Sequence, residues 1–119
     1  LDRKLSPDVL VSEKEQNAVL NGFPGNSKLS DNYPNPFNPT TTINYQLSAV
    51  SDIRLMVFDL LGREVAVLVN DVRRPGAYTV QWNGSAMPSG TYFYRLLALP
   101  VTGVRSDAFI ETKKMILLK

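Results

Sequence analysis

From Thr40 to the end of the chain, apolar side chains recur mostly at every second position, a period that suits strands and excludes an amphipathic helix. Ile43, Tyr45 and Leu47 alternate with Thr42, Asn44 and Gln46, and Ile53, Leu55 and Val57 alternate with Asp52, Arg54 and Met56. Asp59-Leu60-Leu61-Gly62 supplies a turn, with Gly62 where a positive φ is tolerated. Val65, Val67 and Val69 read as the next strand, and Pro75-Gly76 turns the chain into Tyr78, Val80 and Trp82. Asn83-Gly84 closes that run and Pro88-Ser89-Gly90 opens Tyr92-Phe93-Tyr94-Arg95-Leu96. Phe109 to Leu118 is again β-prone, interrupted by Lys113-Lys114. Turn signals at intervals of roughly 8–12 residues make this an all-β fold, an antiparallel β-sandwich of about seven strands.

Ahead of the strands the chain has a different character. In Tyr33-Pro34-Asn35-Pro36-Phe37-Asn38-Pro39, three prolines in six residues remove backbone donors and fix φ. The segment is expected to lie as an extended lead-in, pinned to the domain by Tyr33 and Phe37. Residues 1–28 form an N-terminal tail or linker, and residues 29–119 the sandwich. Within the tail, Ser12 and Glu15 fit a capping box for a short helix, whereas Val9-Leu10-Val11 fits a strand that is exchanged with another chain. Neither run folds alone, and a flexible linker is the plainer reading. Leu1 in place of Met points to a processed product or an excised fragment.

Composition narrows the chemistry. With no His and no Cys, the chain has no Ser-His-Asp triad, no disulfide and no zinc site of the usual kind. Thirteen Lys and Arg against eleven Asp and Glu leave a net charge of +2, too even for a nucleic-acid surface. No apolar run approaches the roughly 20 residues of a transmembrane helix. Asp52, Asp59 and Asp71 lack the dense spacing of a calcium loop, and Asp59 is better placed to cap its own turn. No pair of carboxylates is set across a cleft, so the expectation is a protein that is not an enzyme, with no metal and no cofactor. Trp82, Tyr92, Phe93 and Tyr94 read as sandwich core in preference to a sugar-stacking platform.

The segments Tyr33-Pro34-Asn35-Pro36-Phe37-Asn38-Pro39, Val57-Phe58-Asp59-Leu60-Leu61-Gly62-Arg63, Val80-Gln81-Trp82, Gly90-Thr91-Tyr92 and the terminal Lys113-Lys114-Met115-Ile116-Leu117-Leu118-Lys119 resemble, in order, the type A C-terminal sorting domain of the type IX secretion system. The resemblance covers residues 29–119. It implies an immunoglobulin-like sandwich, recognition by the outer-membrane secretion machinery, and an extracellular or cell-surface location in an outer-membrane bacterium. It also places the secretion signal at Lys113, Lys114, Met115, Leu117 and Leu118, with Tyr33, Pro34, Pro36, Phe37, Asp59, Gly62, Trp82, Gly90 and Tyr92 as structural motif residues. Leu99 to Asp107 departs from the pattern as an inserted loop. Two functions follow. One is an export module. The other is a cargo-free subunit of an extracellular filament or surface layer, a homo-polymer held by Val9, Leu10 and Val11 paired into the next subunit.

Overall fold

Thr40–Leu47 buries Thr41, Ile43, Tyr45 and Leu47 on one side and turns the intervening residues outward, as the period-2 pattern requires. A computed structural model describes residues 26–102 and 108–119. Seven strands run in order: β1 (Lys28–Leu29), β2 (Thr40–Leu47), β3 (Ser51–Asp59), β4 (Glu64–Arg73), β5 (Gly76–Asn83), β6 (Gly90–Pro100) and β7 (Phe109–Leu117). They form two antiparallel sheets, ordered β1-β2-β5 and β4-β3-β6-β7. In immunoglobulin lettering these are A-B-E and C′-C-F-G, and the fold is an immunoglobulin-like sandwich.

One core joins the inner faces. Ile43, Tyr45, Leu47 and Trp82 come from the smaller sheet, and Ile53, Leu55, Val57, Tyr94, Leu96, Met115 and Leu117 from the larger. The ring of Trp82 packs edge-on to Tyr92 at a centroid distance of 5.4 Å and tilted to Phe37 at 5.7 Å. The Tyr92 hydroxyl donates to the carbonyl of Pro88 at 2.7 Å. This is the tyrosine corner that immunoglobulin-like folds place at the start of strand F.

Two expectations change in detail. Val65, Val67 and Val69 were expected on one face of a regular strand, but β4 is an edge strand with two bulges. Leu55 pairs with Val69 and Met56 with Val67; Val57 pairs with Ala66 and Phe58 with Glu64, so Leu68 and Val65 are extra residues. Each extra residue reverses the alternation, so Val69 is buried while Val67 is exposed. Bulges blunt an edge that otherwise invites pairing. Second, Tyr33 does not pin the lead-in with its ring, which is 80% exposed. Its backbone does so, exchanging hydrogen bonds with Thr42 at 2.9 Å each way. The buried side chain is the neighbouring Asn32, whose amide donates to the Thr41 hydroxyl at 2.9 Å.

β1 straddles the expected boundary at residues 28 and 29. The donor strand Val9-Leu10-Val11 and the alternative helix over 13–20 lie outside the described residues, as does the middle of the Leu99–Asp107 loop.

Candidate functional site

The strand directions bring almost every motif to one end of the sandwich. Thr40 pairs with Asn83, Asp59 with Tyr92, and Gly90 with Leu117, so the lead-in, the Asp59–Gly62 turn, the β5–β6 loop and the C-terminus gather there. The Leu99–Asp107 loop leaves from the opposite end.

The lead-in covers the edge of β7. Phe37 N–H donates to the Ile116 carbonyl, and Leu118 N–H donates to the Phe37 carbonyl, both at 2.9 Å. Asn35 Oδ1 accepts from Ile116 N–H at 3.0 Å. The prolines fit this role, because a segment without its own ladder lays single donors and acceptors against a neighbouring edge. Pro34 contributes a carbonyl that accepts from the Thr41 hydroxyl at 2.9 Å, and Pro36 spaces Asn35 from Phe37. Behind Phe37, Gly84 N–H donates to the Pro39 carbonyl at 2.8 Å. A Cβ on Gly84 would come 3.1 Å from Leu117 Cδ2, so a larger residue there would require the Leu117 side chain to shift by a few tenths of an ångström.

The Asp59 turn closes on itself. Asp59 Oδ1 accepts from the N–H of Leu61 at 2.9 Å and of Arg63 at 3.0 Å, while Arg63 Nε donates to Oδ2 at 2.8 Å. The backbone N–H of Arg63 contributes most to holding the Asp59 carboxyl below its ordinary value of 3.8, and the Arg63 guanidinium adds to it. Gly62 sits at φ 84°, the left-handed region the turn requires. Asp59 therefore serves as the cap foreseen from the sequence.

At the C-terminus the five expected signal residues part company. Met115 and Leu117 are fully buried in the core. Lys113 shares that face and is half-buried, with Nζ 3.1 Å from Asp31 Oδ1 and 3.6 Å from Glu111 Oε2. The hydrogen bond to Asp31 raises its pKa above the ordinary lysine value. Lys114 and Leu118 point the other way and are exposed. Lys119, absent from the sequence-based set, donates from Nζ to the carbonyls of Ser85 and Met87 at 2.8 Å each and from its backbone N–H to Ser89 Oγ at 2.9 Å. Asn35 and Lys119 stand inside the motif segments and Gly84 in a turn dipeptide, but the sequence assigned none of the three a role, since their partners are 30 or more residues away.

Between the Asp59 turn and the β5–β6 loop runs an open groove of about 500 Å³, with Leu60, Leu61, Val65, Met87 and Pro88 in its walls. Among the described residues no three acidic side chains come together as a metal site, and no helix is long and apolar enough to cross a membrane.

The fold and this strapped end define an immunoglobulin-like β-sandwich whose sequence motifs are gathered around its C-terminus. A family model described as "Secretion system C-terminal sorting domain" matches residues 31–116, and the chain belongs to that family, the sorting domains of type IX secretion. A protein carrying this domain is secreted, exported outward through the type IX route. No curated protein matches the chain. Among solved structures the chain is similar to CopC from Methylosinus trichosporium OB3b, at 12% identity, covering 76% of this chain and 92% of that one, with a TM-score of 0.49.

Proposed function

We propose that the domain is a non-catalytic address: the secretion machinery of the outer membrane reads its folded C-terminal end, and the protein is thereby carried to the cell surface or the medium. The observation that carries this reading is the convergence of the lead-in, the β5–β6 loop and Lys119 on the terminus of β7, with the Asp59 turn at the same end of the sandwich, which builds a pre-formed surface from segments far apart in sequence. Pre-organisation of that kind lowers the ordering cost of being bound. Within that surface Lys114 and Leu118 are the signal residues a folded domain can present, whereas Met115 and Leu117 act by keeping β7 seated.

The test separates the two roles. Removing residues 113–119 should abolish export, but it also empties core positions. The double change Lys114→Glu and Leu118→Ser alters only exposed side chains, and it should leave the melting temperature unchanged while blocking export. Wild-type export of a folded double variant would reject the reading. The filament alternative rests on Val9, Leu10 and Val11, outside the described residues, and nothing in the described fold favours it.

A further inference from the structure

Turn tips are ordinarily polar, because they project into water and gain nothing from apolar side chains. The Asp59–Arg63 turn instead carries Leu60 and Leu61 at 68% and 77% exposure. The two leucines stand on a stiff base. Asp59 N–H donates to the Arg63 carbonyl at 2.9 Å, Gly62 N–H to the Asp59 carbonyl at 3.0 Å, and the Asp59 carboxylate accepts from Leu61 and Arg63. No collapse of the tip onto the domain covers them. Beside them lies the groove of about 500 Å³, whose far wall contains Met87 and Pro88. That wall belongs to the loop tied to Lys119 through the carbonyls of Ser85 and Met87, so the groove is continuous with the C-terminal end of the chain.

We infer that Leu60 and Leu61 form a docking knob that enters an aliphatic socket on a protein of the outer-membrane secretion machinery, while the adjacent groove receives an apolar side chain of the same partner. The inference rests on the proposed sorting role and extends it to a second contact, on a different hairpin from β7. A convex pair of leucines next to a concave apolar wall matches a partner of reciprocal relief, as at the packed centre of protein interfaces. A bilayer offers no protrusion to fill the groove. Continuity with the C-terminus lets one partner engage both features at once.

The experiment uses the full chain in a bacterium with a working type IX system, and the purified chain for folding and lipid assays. Leu60→Ser with Leu61→Ser should melt at the wild-type temperature and lower export by about tenfold or more, as loss of a hot spot does. Leu60→Gln alone carries the same test should the double variant fail to reach the native fold. Wild-type export of either folded variant overturns the knob. Sedimentation of the wild-type chain with phosphatidylethanolamine–phosphatidylglycerol vesicles, lost in the leucine variant, would assign the tip to lipid and also overturn it. The Lys114→Glu, Leu118→Ser variant is run in parallel. If it is exported normally, the sorting reading itself fails; if it is retained while the leucine variant is exported, only the knob fails.

Discussion

The two ends of this sandwich are made of similar turns but are held together differently. At the end bearing the C-terminus, hydrogen bonds join segments far apart in the chain, Asn35 to Ile116, Phe37 to Ile116 and Leu118, Gly84 to Pro39, and Lys119 to the β5–β6 loop. At the opposite end Tyr78 to Arg74 and Ser51 to Ala49 are local ties, while Val101 to Val50 and Ser48 to Ser27 span further. The longest ties gather at the end that the proposed sorting role assigns to recognition, and the chain between β6 and β7 leaves from the other end.

The largest expected effect comes from removing the main brace. Phe37→Ala empties a buried site against Trp82 and should cost about 3–5 kcal/mol in urea denaturation. It should also speed hydrogen exchange at the Leu118 amide, whose acceptor is the Phe37 carbonyl. A loss below about 1 kcal/mol would break the comparison, because an ornamental lead-in loses little.

Alkaline titration probes the seam between lead-in and core. Burial pushes the Tyr94 hydroxyl, which donates to the Ser30 carbonyl at 2.8 Å, up to about 12 from its ordinary 10.0. The unfolded chain therefore releases this proton first. The contribution of Tyr94 is fully present below pH 10 and is lost as pH rises from 10 toward 12, by about 2–3 kcal/mol at most. Thermal melts across that window should fall less steeply for Tyr94→Phe than for wild type.

Smaller effects sharpen the contrast between the ends. Gly62→Ala meets open space but keeps a φ of 84°, so strain alone should destabilise it, by about 1 kcal/mol. At the other end, Val101→Ser replaces an exposed side chain and should change stability by less than about 0.5 kcal/mol, with export unaltered. Impaired export of Val101→Ser would show that both ends take part in recognition.

Alternation made β2, β3, β5, β6 and β7 legible from the sequence, because side chains on a strand must choose between core and water. The sequence reading grouped Lys113, Lys114, Met115, Leu117 and Leu118 as one signal, although the same alternation sets Met115 and Leu117 on the opposite face of the strand from Lys114. β4 was read with the wrong face at Val67, because a bulge leaves no local mark in a run as uniform as Val65 to Val69. Tyr33 was given the pinning role on the general preference of aromatic rings for burial. Asn32 took it through its side-chain NH2 group, which donates to the Pro34 carbonyl and the Thr41 hydroxyl, partners that the preference of one residue type does not reveal.

The class of fold and the turn at Asp59 were readable without the structure, since each follows from neighbours within a few residues, and the lack of His and Cys follows from composition. Three-dimensional packing set the lead-in against β7, brought Gly84 beside Leu117, tied Lys119 to the β5–β6 loop, and left two leucines uncovered beside a groove. Those features depend on which strand ends meet in space, and contacts across more than 30 residues are set by the packing of the two sheets as a whole.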